Sequence, residues 1–346
     1  MGLAVVAFEV RFVRPAAALL AARHADDPHG PDLRDPDVAH RVVRAWQGSG
    51  PALAAVRDGE LVGFLAATLP APPGNPVARV RLAQHAAADR DTYRRLYAAL
   101  AGRLTAAGRF EHSIVVPAGD TVGHLVELGF GIDQIKGLRP VGPPEAAGAP
   151  AGVTVRPADP EETGVLLRLV LELQRFHAAS PMLRPALIDL DAIRTDLDAA
   201  RTDGDQVVLV AERDGDPVGM IQAGRDSRYR TAATIGIAAV TASARSGGVG
   251  GALVSGVQRW AAGRGFRYYG AGWTSANLVS DSFWRGRGFV PVAYTLTRLV
   301  DQRVAWADAD LGYPEDDPGR TAPSTVDVRP RPASPSRAGG TGRAGR

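Results

Sequence analysis

Two stretches of this chain are near copies of each other, and a repeat restricts the fold more than composition does: whatever unit one copy forms, the other must form as well. Val56-Arg57-Asp58-Gly59-Glu60-Leu61-Val62-Gly63-Phe64 is matched by Glu212-Arg213-Asp214-Gly215-Asp216-Pro217-Val218-Gly219-Met220. Each flanks an Asp-Gly with apolar residues, which reads as a β-hairpin. Upstream, Val13-Arg14-Pro15-Ala16 is answered by Val155-Arg156-Pro157-Ala158; downstream, Leu128-Gly129-Phe130 is answered by Arg287-Gly288-Phe289. The order is kept and the spacing drifts mostly before the hairpin, as it would if the second copy had a longer early loop. With 346 residues the chain exceeds the usual single domain. Two domains are predicted, 1–140 and 153–304, joined by a Pro/Gly/Ala-rich linker at 141–152. A tail at 314–346 has almost nothing apolar to bury and is expected to be disordered.

Composition narrows the function classes. The formal charge is only +3, and Lys136 is the only lysine. The arginines are scattered rather than clustered, which argues against nucleic acid. There is no cysteine, so disulfides, thiolate nucleophiles and cysteine metal sites are absent. No metal is expected. The apolar opening Met1 to Phe8 meets Glu9 and Arg11 at once and reads as a first strand, not a signal peptide. No uncharged run reaches the ~20 residues that a membrane-crossing helix needs. A cytoplasmic location is expected.

The second copy reads as β-α-α-β-β-β-α-β-α-β. Thr154 to Ala158 is a strand, and Asp159-Pro160-Glu161-Glu162 is a helix start, with a capping Asp, a proline and acids in the first turn. Leu166, Leu169, Val170, Leu173 and Phe176 form one apolar face. A loop at 178–185 leads to a second helix, then to the hairpin and a strand at 234–240. Val249, Leu253, Val257 and Trp260 space out the next helix, followed by a strand at 266–273, a short helix at 277–285 and a strand at 290–299. The first copy follows the same order more loosely. The fold class predicted is α/β in the α+β sense: two tandem domains, each a mixed, mostly antiparallel central sheet flanked by helices.

Between the strand ending at Val240 and the helix starting near Val249 lies a turn with Arg245, Ser246, Gly247, Gly248, Gly250 and Gly251. Strand, glycine turn and helix make a cradle for phosphate, because glycines admit close approach and first-turn N–H groups point at the anion. A P-loop is excluded, since no Gly-Lys-Ser/Thr occurs. The dinucleotide fingerprint would need glycine where Leu253 stands. Arg245-x-x-Gly248-x-Gly250 remains. It resembles motif A of the GNAT acyltransferase superfamily. Downstream, Asn277-x-x-Ser280-x-x-Phe283-Trp284-x-x-x-Gly288-Phe289 looks like that family's closing helix and strand.

The resemblance implies an acetyl-CoA-dependent N-acetyltransferase that moves an acetyl group to a primary amine, with catalysis in the second domain. It places backbone N–H groups of 245–250, Val249 among them, and of Gly251 on the pyrophosphate. Ala239 and Val240 would face the pantetheine and thioester, and Asn277, Phe283 and Trp284 would line the pantetheine arm. For Asn277, helix capping is the competing role. The first copy resembles a decayed version, and tandem members with one silent half occur in the family. Its corresponding turn, Ala86 to Tyr93, has no glycine, and Asp89 and Asp91 would repel a pyrophosphate.

The acid-base residues are less legible. Many family members carry an acid on the strand feeding the turn, but here Thr234 stands near that position. A tyrosine common in the closing helix is replaced by Trp284, whose indole cannot serve as a general acid. His177, Glu172 and Ser280 are the candidates left for catalysis, each also readable as a surface, solvated or packing residue. Ser282 is weaker still. Asp226 and Tyr229 are candidates for attracting a cationic acceptor. Trp273 reads as core. A small-molecule amine is the acceptor expected, with a protein acceptor as a second option. An acyl-CoA sensor or partner-docking protein without turnover is the competing reading.

Overall fold

A computed structural model describes residues 2–26, 32–70, 77–119, 121–143, 149–183 and 189–304. The expected tail at 314–346 and part of the loop at 178–185 lie outside the described residues.

Strand β1 (Ala4–Ala7) is followed by helices α1 (Val13–Arg23) and α2 (Pro36–Trp46). The Asp35 carboxylate caps α2 by accepting the N–H of Asp37 and Val38. Strands β2 (Ala52–Arg57) and β3 (Glu60–Ala66) form the first hairpin. Next come β4 (Val77–Val80), β5 (His85–Ala87), α3 (Arg90–Ala106), β6 (Glu111–Pro117), α4 (Thr121–Val126) and β7 (Gly131–Pro140). The second copy repeats the plan: β8 (Val153–Pro157), α5 (Thr163–Ala178), α6 (Leu190–Thr202), then the hairpin β9 (Gln206–Arg213) and β10 (Asp216–Arg225). It closes with β11 (Ala232–Val240), α7 (Val249–Gly263), β12 (Tyr268–Thr274), α8 (Leu278–Gly286) and β13 (Val290–Leu299). The start expected at Asp159 is a single 3₁₀ turn, Pro160–Glu162, ahead of α5. Both hairpin turns take positive φ at each central residue, 52° and 85° at Asp58-Gly59, 54° and 89° at Asp214-Gly215. That is the two-residue turn whose twist matches the strands, and it explains why the Asp-Gly pair recurs.

The fold is mixed and mostly antiparallel, but its sheets are not one per repeat. A four-stranded sheet runs β1-β2-β3-β5, and a nine-stranded sheet runs β4-β6-β13-β7-β12-β11-β10-β9-β8. The last strand of each repeat has changed places with the other. β7 lies antiparallel to β12, with Lys136 opposite Gly272, while β13 lies against β6, with Leu296 opposite Ile114. β7 and β13 also pair with each other. Sheet pairing therefore runs straight past 141–152, and the described residues fall in one compact unit, Met1–Ala309. The described start of the joining segment is docked as well: Gln258 Nε2 donates to the carbonyls of Gly142 and Pro143.

α7 packs Val249, Leu253 and Val257 on one face of the nine-stranded sheet, over Ile135, Ile235, Tyr269 and Trp273. α5 and α6 cover the other face with Leu166, Leu169 and Leu197, over Val208, Val210 and Met220. Each fully buried aliphatic side chain contributes about 1.5–3 kcal/mol.

One irregularity positions the site. β11 follows β10 from Ala233 to Val240 but pairs with β12 only from Ala232 to Ile235. Beyond Ile235 the two parallel strands part and leave a fork. The register with β10 also slips there: Ala223 faces Ile235 and Gln222 faces Ile237, so Gly236 is an extra residue. The bulge reverses which way the strand faces. Ala233 and Ile235 lie in the core under α7, whereas Ile237 and Ala239 pack with α5 and α6.

Candidate functional site

At the open end of the fork β11 runs into the glycine turn. A cavity of about 450 Å³ lies there, between the end of β11, the first turns of α7, and α8. Ser246 and Gly248 have positive φ, 61° and 78°, and Gly248 is the residue preceding the first turn of α7. A Cβ on Gly248 would meet Pro150 Cγ at 2.5 Å, so both the conformation and the space require glycine. No side chain caps α7 and no acid lies in its first turn. Its free N–H groups therefore face the cavity mouth unneutralised, which favours an anion. Arg245 acts on the protein itself: its Nε donates to the Val240 carbonyl at 3.2 Å, and its guanidinium lies 4.7 Å above the Phe176 ring.

Ala239, Val240, Arg245, Ser246, Gly248, Val249, Gly250, Gly251, Asn277, Phe283 and Trp284 all line this one cavity. Gly247 does not; its carbonyl accepts from Arg213 at 3.4 Å. Asn277 is buried and lines the cavity, and its Oδ1 accepts the Ser280 N–H at 3.0 Å, capping α8. Sequence reasoning missed Arg287. Its guanidinium lies against Gly251 in the first turn of α7 and 4.8 Å over the Phe283 ring, adding a cation beside the free N–H groups. Arg287-Gly288-Phe289 was visible as a repeat, but nothing in it pointed back to the glycine turn. Leu173 and Phe176 from α5 and Ile221 from β10 complete the apolar wall.

The candidates for proton transfer are placed less favourably. Glu172 Oε1 accepts the Ala242 N–H at 2.7 Å and stands 3.9 Å from Arg245, so it braces the turn. Ser280 lines the cavity, but its Oγ accepts the Trp284 indole N–H at 3.0 Å. Ser282 is exposed. His177 is half-buried at the end of α5 beside Phe176, outside the cavity lining; partial burial pulls its pKa below the ordinary histidine value. Trp273 is buried in the core under α7 and donates to Asp281 at 2.8 Å.

Asp226 was read as a site for a cationic acceptor, and the structure corrects this. It is buried and already holds a cation: Lys136 Nζ lies 2.6 Å from its Oδ2, and its Oδ1 accepts the N–H groups of Arg228 and Tyr229. Tyr229 is likewise buried, packed with Leu138, Ala232 and Val292. Lys136 reaches this place on β7, out of the first repeat. It also donates to Thr234 Oγ1 at 2.6 Å, so the position where an acid was sought carries a lysine-bound hydroxyl. Burial lowers the Lys136 pKa and Asp226 partly offsets the fall.

In the first repeat the equivalent of the glycine turn is filled by protein. Asp89 caps α3, its Oδ1 accepting the Thr92 N–H at 2.7 Å, and Arg57 stands 3.1 Å from its other oxygen. A side-chain carboxylate thus occupies the place of an anionic ligand, and the Thr92 bond holds its pKa below the usual range. The end of α1, corresponding to the end of α5, sends Arg23 across to α4, donating to Thr121 Oγ1 at 3.2 Å. His24 beside it is wholly buried, with neither ring nitrogen bonded among the described residues, and burial lowers its pKa to about 4. His85 and Tyr93 fill in behind, their ring nitrogen and hydroxyl 3.2 Å apart.

Residues 174–289 match the model of the Acetyltransferase (GNAT) family. That segment holds the fork, the glycine turn and α8. No curated protein matches the chain in sequence. Among solved structures, the chain is similar to a GCN5-related N-acetyltransferase from Sphaerobacter thermophilus, at TM-score 0.58 and 18% identity over 86% of this chain and 95% of that one. It is also similar to a tandem GNAT protein from the clavulanic acid biosynthesis pathway, at TM-score 0.51 and 17% identity over 86% and 98%. At such identities the likeness shows the fold, and in both cases the fold extends over the two repeats together. Among the described residues no helix is long and apolar enough to cross a membrane, and no group of His, Asp and Glu is placed to hold a metal. Residues 174–289 thus match the GNAT acetyltransferase family, and the chain as a whole has a fold similar to that of a tandem GNAT protein.

Proposed function

We propose that this protein transfers an acetyl group from acetyl-CoA to a primary amine, that transfer takes place in the second repeat, and that the first repeat binds no acyl-CoA. One contrast carries the reading. The uncapped α7 N-terminus faces an open cavity beside the fork, while its counterpart on α3 is closed by Asp89.

The thioester supplies the activated acyl carbon. The glycine turn and Arg287 hold the pyrophosphate, and the backbone of β11 past Ile235, unpaired on the β12 side, is free to bond the pantetheine and the developing oxyanion. The amine nitrogen forms the new bond to the carbonyl carbon, the C–S bond breaks, and the amine proton leaves to water. Among the described residues no carboxylate at the fork is free to take it, since Asp226 is paired with Lys136. Catalysis then rests on proximity and oxyanion stabilisation.

The same shortage of a free acid favours a second reading, an acyl-CoA sensor without turnover. Thermal-shift protection by coenzyme A and acetyl-CoA, followed by thiol release over a panel of amines, separates the two. Protection with release supports the transferase, and protection without release supports the sensor. Absence of protection by either compound defeats both.

A further inference from the structure

The sheet face opposite α7 is open above Gly272 of β12. Strand alternation sets the floor there: Thr295 of β13 stands opposite Gln134 of β7, Lys136 lies two residues on, and Gly272 of β12 is opposite Lys136. Gly272 and the bulge residue Gly236 are both exposed, and a Cβ built on either meets nothing within 4 Å. The floor is therefore bare where the fork opens through the sheet. Gln134 and Thr295 continue into a second cavity of about 860 Å³ whose walls come from both repeats. Arg79 and Arg81 enter from β4 and the turn after it, and Arg228 enters from the loop after β10. All three are exposed and form no ion pair among the described residues. Of the acids there, Asp32 pairs with Arg230 at 2.9 Å, Asp133 accepts from the Thr297 hydroxyl, and Glu111 is not without a partner. Lys136 is matched by Asp226. Arg79, Arg81, Arg228 and Arg230 stand against Asp32, Glu111 and Asp133 in this lining, which leaves an excess of one positive charge.

From this arrangement we infer that the acceptor is a primary amine carrying an anionic group, a carboxylate or a phosphate. The amine lies on the Gly272–Gly236 floor, and the anion is held by Arg79, Arg81 and Arg228 in the cavity between the repeats. The first repeat, which takes no acyl-CoA, thereby supplies acceptor specificity. The inference rests on the transferase reading, and its test separates the two. Exposed arginines suit an anion because each presents several donors in a fixed fork.

The test uses matched probes on the full chain: 4-aminobutyrate against 4-aminobutanamide, and O-phosphoethanolamine against ethanolamine. Calorimetric binding and acetyl-CoA-dependent thiol release are both read, in the wild type and in Arg79→Ala/Arg228→Ala. Coenzyme A binding to the same variant checks the other site. The expected result is that one anionic probe binds and reacts roughly tenfold or more better than its neutral partner, with the preference lost in the variant and coenzyme A binding unchanged. Preference for the carboxylate or for the phosphate identifies the anion. Equal or better use of the neutral amines, no binding of either anionic probe, or a preference that survives the double substitution overturns the inference, while the transferase reading stands wherever thiol release is seen. Anion binding by calorimetry together with failure to bind coenzyme A supports the anion site and defeats the transferase reading alone.

Discussion

Lys136 on β7 donates to Thr234 on β11 by reaching over β12, the strand between them, and ends on Asp226. It passes above Gly270, where a Cβ would come within 3.2 Å of Lys136 Cε and 2.8 Å of the Gly137 carbonyl. The chain's only lysine thus ties the first repeat's last strand to the second repeat's fork.

Removing one member of that pair should be costly. Lys136→Met leaves the Asp226 carboxylate buried without its cation, a change expected to cost about 3–5 kcal/mol. Adding Asp226→Asn should recover a large part of the loss, since the uncompensated charge is gone. Denaturant unfolding of the single and double variants checks this; additive losses would mean that the pair is not coupled.

Gly270→Val meets backbone as well as side chains, so the neighbours have little room to yield. A loss of about 1–3 kcal/mol is expected from overpacking, visible as a lower melting temperature. Gly272→Ala, which meets nothing within 4 Å, should leave stability within about 0.5 kcal/mol.

Arg287 lies over the first turn of α7 without taking part in the core. Arg287→Ala should weaken coenzyme A binding by about tenfold through loss of a charge-assisted contact, with little change in unfolding midpoint. The loss should be much smaller for a pantetheine fragment without the pyrophosphate. Equal losses for both would move the arginine's contact to the pantetheine.

Asp89→Gly removes the cap of α3, worth about 0.5–2 kcal/mol, and frees N–H groups in the first repeat. Coenzyme A should still bind at one site per chain, because Arg23, His24, His85 and Tyr93 continue to fill the space beyond. Calorimetric stoichiometry decides it.

His24 gives the first repeat an acid weakness. Its folded pKa of about 4 lies below the ordinary value of 6.5, so the unfolded chain binds more protons between them. Stability should therefore fall as pH drops from about 6.5 towards 4, by roughly 3 kcal/mol in total from this residue. In His24→Leu that part of the acid slope should vanish. Urea midpoints measured from pH 4 to 7 would show it.

Most elements were legible because hairpin turns, helix faces and the glycine turn are local patterns. The Asp-Gly turns need positive φ wherever they sit, and Gly248 needs it in any strand-turn-helix. The exchange of β7 and β13 was not legible, since Ile135 or Leu296 alternates with polar neighbours in the same way whichever strand lies beside it. Asp226 was misread for the same reason: its partner arrives from the other repeat, and Lys136 looked like an isolated lysine. The roles of Asn277 as a cap and Trp273 as core followed from local rules. Arg287 did not, because its target lies on a different helix.

The crossed final strands also fix an order of events in synthesis. β6 emerges early, yet one of its two neighbours, β13, is made last among the described strands, and β7 has no place until β12 exists. The first repeat must therefore wait with open sheet edges while the second is translated, and its closure depends on contacts distant in sequence, which form slowly. A stop codon anywhere before β13 would strand both halves at once.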